Sequence, residues 1–171
     1  MPPESLDARR VSDSMRPPIP VLAAALILIA AVGVAGCGGG KEQVTAAELV
    51  QKGDSICTEE ADRFDQVQSA PPASARAAKD QTGELIDAAE SAHSDLAILD
   101  PPDAQQPAYD SYLDAHRAAI DEMRKGEDAA DDEDSAAYGT AQEAVAKSAT
   151  QRQRLASQLG FKVCSQGPKA P

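Results

Sequence analysis

Between Ala78 and Leu99 the chain sets an apolar or small residue alternately four and three positions on: Ala78, Thr82, Leu85, Ala89, Ala92, Leu96 and Leu99. Such spacing is the seam of an α-helix packed at a shallow angle on its neighbours. A strand does not satisfy it, because strand side chains change face at every residue. Asp100-Pro101-Pro102-Asp103 ends the segment, since a residue ahead of proline is driven out of the helical region. A single amphipathic helix gains little stability alone, so the rest of the chain must supply partners.

Three further segments do so. "TAAE", Thr45 to Glu48, has the form of a capping box, and Val50, Gly53, Cys57, Ala61 and Phe64 follow at helical steps until Pro71 and Pro72. A third helix is expected to start near Asp103 to Pro107, with Asp103 as cap and Pro107 in or near the first turn. Its stripe is Tyr109, Leu113, His116, Ile120 and Met123, and Gly126 is the expected stop. The fourth is expected to begin within Glu127 to Ser135, whose acids suit a helix N-terminus. It carries Tyr138, Ala141, Val145, Ser148, Arg152, Leu155 and Leu159 before Gly160 turns the chain back toward Val163 and Cys164. Aromatics make up only 3 % of the residues, with no Trp, so the core is built mainly of small and aliphatic side chains. That composition suits close-packed helices better than a sheet. Short loops then give an all-α, antiparallel four-helix bundle, up-down-up-down, over residues 44–164, with a disordered tail over 165–171.

Ahead of the helices, Val21 to Ala35 runs without a charge. It is shorter than the roughly 20 residues of a bilayer-spanning helix and has the length of a signal-peptide core. Arg9, Arg10 and Arg16 lie on its amino-terminal side, so residues 1–36 read as a leader; a start at Met15 gives it more ordinary proportions. "VAGC", Val34 to Cys37, looks like a bacterial lipobox, with Val34 in place of the commoner Leu. At such a site a diacylglycerol is joined to the cysteine through a thioether, and cleavage before it makes Cys37 the new amino terminus. One acyl chain anchors marginally, whereas two on one cysteine hold durably. Residues 37–43 are then the lipidated cysteine and a glycine-rich tether. The expected place is the outer face of the cytoplasmic membrane, held through lipid on Cys37.

Cys57 and Cys164 remain, an even number in an exported chain, which points to a disulfide between the two ends of the domain. Closing a loop of about 100 residues contributes about 4.7 kcal/mol on the chain-entropy model. An up-down-up-down bundle returns its last helix to the start of its first, so the two readings agree. Metal binding or redox exchange is the alternative, but neither CxxC spacing nor a nearby third ligand supports it.

The net charge is −12, and residues 1–36 hold as many acids as bases, so the whole excess falls on the remainder. This surface repels phosphate backbones, and no nucleic-acid partner is expected. It suits solubility or a basic partner.

Three stretches carry a resemblance: "TAAELVQKGDSICTEEADRF", "LAILDPPDAQQPAYDSYL" and "QRQRLASQLGFKVC". Over Thr45 to Cys164 the chain resembles small exported or lipid-anchored helical proteins of GC-rich bacteria, notably actinobacteria. The resemblance implies a helical bundle and a bridge from the first helix to the turn after the last. It implies no functional site.

The remaining constellations are incomplete. Glu90 and His93 form one Glu-x-x-His step, but a ferritin-like dinuclear centre needs two, and Leu113 stands where the second glutamate before His116 belongs. A mononuclear site of Glu90, His93 and His116 requires adjacent helices in register. His116 on the seam reads as a hydrogen-bonded core histidine, and Arg152 as a residue that reaches solvent or pairs with an acid. CxxCH is absent, which leaves Met123 with a histidine as a remote axial pair for haem. Glu127 to Ser135 lacks the spacing and glycine of a calcium loop. No Gly-x-Ser-x-Gly elbow and no phosphate-binding glycine loop occurs. No catalytic residue, metal or cofactor is therefore assigned. The expected function is a non-catalytic binding or interaction module with an envelope protein as partner; a bundle binding a ligand, metal or haem is the alternative.

Overall fold

A computed structural model describes residues 43–166; the leader, Cys37, the tether as far as residue 42, and residues 167–171 lie outside it. The described residues form four helices and no strand: α1 (Ala46–Val67), α2 (Ala75–Ala97), α3 (Gln106–Asp131) and α4 (Ser135–Leu159). Successive helices run antiparallel. Gln81 near the start of α2 donates to the Val67 carbonyl at the end of α1. The Tyr109 hydroxyl at the start of α3 donates to Leu96 O at the end of α2, at 2.7 Å. The all-α bundle read from the seams is the observed architecture. α3 packs most extensively on α4, and α2 on α3 more than on α1. No helix among the described residues is long and apolar enough to cross a membrane.

The capping box forms as expected: Thr45 accepts from Glu48 N, and the Glu48 carboxylate accepts from Thr45 N at 2.9 Å. Elsewhere the boundaries shift. Gly126 does not stop α3; the helix continues to Asp131, and Gly126 is buried facing Ala141 of α4. A mid-helix glycine costs only about 1 kcal/mol, which the burial of Ala129 and Ala130 beyond it offsets. The acidic run is therefore divided. Glu127, Asp128 and Asp131 fall at the negative end of α3, against the helix dipole, where Lys79 reaches Asp131 at 2.7 Å. Asp134 caps α4, accepting from Ala136 N and Ala137 N. Asp103 caps nothing; its carboxylate accepts from the Gln43 side chain, and α3 starts from Gln105 with no side-chain cap. On α1 the buried stripe is Leu49, Gly53, Cys57 and Glu60, rotated from the expected one, so that Ala61 is exposed and Val50 half-buried.

The bundle closes through the turn after α4. Gly160 takes the left-handed conformation, φ 85°, that ends the helix. Phe161 then inserts its ring between α1 and the tyrosines of α3, with centroids 5.5 Å from Tyr112 and 6.4 Å from Tyr109. Glycine at position 53 makes room for it: a Cβ there would stand 2.6 Å from the ring. The Asp54 carboxylate accepts from the N–H groups of Lys162 at 3.0 Å, Val163 at 2.8 Å and Cys164 at 3.5 Å. Cys57 and Cys164 are joined, with their Cα atoms 5.3 Å apart. Ser165 and Gln166 belong to this turn rather than to a loose tail, since Gln166 N donates to Val163 O.

Asp54 thus satisfies backbone donors that would otherwise face its helix without partners. Hydrogen bonds to a charged group contribute about 1.5–3 kcal/mol. Asp54→Ala is expected to lower the urea midpoint accordingly, with Asp54→Asn intermediate because one amide oxygen can still accept.

Candidate functional site

Each helix contributes one polar side chain to a layer across the bundle: Glu60 from α1, His93 from α2, His116 from α3 and Arg152 from α4. Apolar clusters lie on either side. One holds Leu49, Leu96, Tyr109, Tyr112, Phe161 and the disulfide; the other is smaller, with Ile86, Ala89, Ile120 and Met123. The layer follows from register. On α3, His116 lies one turn from Tyr112 and one turn from Ile120; on α1, Glu60 lies one turn after Cys57.

His116 is fully buried. Its Nε2 stands 3.3 Å from Glu60 Oε1, at ion-pair distance but without the alignment of a good hydrogen bond. Arg152 Nη1 donates to the same oxygen at 3.0 Å. Burial pushes the Glu60 carboxyl up, but contact with His116 and the charge of Arg152 together pull it further the other way, so its pKa lies below the ordinary value. The His93 ring lies nearly parallel to that of His116, centroids 5.5 Å apart. Its Nε2 meets Arg117 Nη2 at 3.2 Å. The Nδ1 atoms of both histidines are buried with no hydrogen bond among the described residues. Tyr109 and Tyr112 are shifted well upward, mainly by burial, so both hydroxyls stay protonated.

The expected residues separate into two groups. His93 and His116 do meet, but Glu90 turns away to Arg124, whose Nη2 donates to it at 2.6 Å. The mononuclear set of Glu90, His93 and His116 is therefore not assembled, and no three His, Cys, Asp or Glu side chains among the described residues converge to hold a metal. Arg152 pairs with an acid, Glu60. Cys57 and Cys164 meet; Cys37 lies outside the described residues. Glu60, Asp54 and Arg117 were not expected in any role. For Glu60 a signal existed, since it stands three residues after Cys57 on the same helical face. Asp54 and Arg117 carry no such signal, because their partners lie on other elements.

A cleft between α1 and α2 is lined by Ile56, Glu59, Glu60, Arg63, Ser91 and Asp95. Among its charged residues, Glu60 is engaged by Arg152, which donates to it, and stands beside His116. Compared with known protein families, characterised proteins and solved structures, the chain matches none.

Proposed function

We propose that this protein is a bacterial envelope lipoprotein: a helical domain anchored through lipid on Cys37 at the outer face of the cytoplasmic membrane, acting as a non-catalytic binding or interaction module. The observation that carries the reading is Val34-Ala35-Gly36-Cys37 at the end of an uncharged run and ahead of glycines. Two features of the fold support it. A bond between Cys57 and Cys164 fits a compartment outside the reducing cytosol. The buried Glu60 is neutralised by Arg152 and His116, the arrangement of a structural ion-pair layer. The acidic exterior favours a basic or neutral protein partner over nucleic acid.

Expression of the full chain in a bacterium with the lipoprotein-processing enzymes tests this. The protein is expected to take up labelled fatty acid and to sediment with membranes, whereas Cys37→Ser is expected to do neither. An unlipidated Cys37 on intact mass analysis of the native product would overturn the reading. Crosslinking in the living cell, compared between the anchored protein and Cys37→Ser, then identifies the partner by its dependence on the anchor.

A further inference from the structure

We propose that His93, packed on His116 and held by Arg117, is an acid-sensitive latch on the seam between α2 and α3. A guanidinium has donors only, so the 3.2 Å contact requires Arg117 Nη2 to donate and His93 Nε2 to accept. The ring is therefore neutral in the closed seam, with its proton on Nδ1. Adding a proton to Nε2 turns the contact into donor against donor and sets a second cation beside the guanidinium.

The surroundings provide little relief. On α3, His116 and Arg117 both oppose a charge on His93, and Asp114 alone favours it. Behind His116, Glu60 of α1 is shared by His116 and Arg152 of α4. On α2 itself, Glu90 is taken by Arg124 of α3. In the α1–α2 cleft, the acids Glu59 and Asp95 share the lining with Arg63, and none of the three acts on the His93 ring. Burial first, then the charges of His116 and Arg117, hold the His93 pKa below the ordinary 6.5.

The sign of the linkage follows. The unfolded chain takes up the proton near pH 6.5 and the folded chain only at lower pH, so the open or unfolded form binds more protons in between. Stability from the neutral ring is complete above about pH 6.5 and is lost as pH falls toward the folded value. The seam that loosens covers Ile86, Ala89, Ile120 and Met123. Acid is thereby coupled to exposure of an apolar face, whatever holds the chain at the membrane.

The chain has two histidines, so proton NMR of the full protein gives two ring signals, assigned with His93→Gln. The His93 signal is expected to titrate with a midpoint below the ordinary 6.5. The melting temperature is expected to fall by a few degrees between pH 7.5 and about 5.5, below the ordinary histidine pKa yet above the carboxylate range. In His93→Gln, whose amide can still accept from Arg117, that slope is expected to shrink markedly. Arg117→Met is expected to raise the His93 titration toward the ordinary value. A His93 titration at or above 6.5 in the folded protein overturns the proposal, and the NMR arm needs no variant to fold. An unchanged slope in His93→Gln overturns it equally.

Discussion

Removing the covalent bridge, with Cys57→Ala and Cys164→Ala together, is expected to lower the melting temperature by more than about 10 °C. The bridge restricts the unfolded chain across a loop of about 100 residues, which the chain-entropy model equates to about 4.7 kcal/mol. Native domains are stable by only about 5–15 kcal/mol, so this single bond is a large share of the whole. The double variant is a cleaner test than reductant, because both sulfurs are buried. It also removes a contact, since Cys57 Sγ lies 3.5 Å from the Tyr112 hydroxyl. A melt unchanged by the double substitution would show that the two sulfurs are not bonded in the protein.

The second large effect is expected at Arg152. Removing one partner of a buried ion pair strands the other, at a cost of about 3–5 kcal/mol. Arg152 is 23 % exposed whereas Glu60 is only 6 % exposed, so water reaches the guanidinium side and the lower end of that range applies. Arg152→Met should therefore cost about 3 kcal/mol near neutral pH, read as a lower denaturant midpoint. Adding Glu60→Met should recover most of that loss, because the stranded carboxylate is then gone. The pH dependence distinguishes this from simple loss of packing. In the native chain the Glu60 pKa is depressed, so its contribution is complete above the ordinary 4.5 and disappears as pH falls through the lower folded value. In Arg152→Met one of the two partners that lower the Glu60 pKa is gone, so the carboxyl takes up a proton more readily than in the native chain. The deficit of the variant should then narrow as the solution is acidified. A deficit constant from pH 7 to pH 4 would argue for lost packing alone.

The fold was legible where one physical rule governs one stretch of chain. The seam from Ala78 to Leu99 and the capping box at Thr45 depend on residues within a few turns of each other, and both predict what is observed. Gly160 succeeds for the same reason, because a glycine takes at no steric cost the left-handed conformation that ends many helices, here α4. Gly126 misleads because a glycine marks an end only if nothing beyond it can be buried, and Ala129 and Ala130 are. Asp103 misleads because a side chain able to cap is equally able to bond elsewhere, here to Gln43. The polar layer is the least legible part. His116 and Arg152 fall on predicted seams, but Glu60 was displaced by Ala61, which looks more apolar and sits on the wrong face. Only the packing of four helices at once decides which of those neighbours points inward.

The position of the sulfur bond also sets how the domain answers a pull. Among the described residues, a load applied between its two ends can strip away only Gln43 to Ile56 and the last two residues, Ser165 and Gln166, before the covalent link takes the strain. The remainder of α1 and the whole of α2, α3 and α4 lie inside the closed loop, sheltered from tension. A molecule tugged in this way would lengthen by a short, fixed amount and then hold.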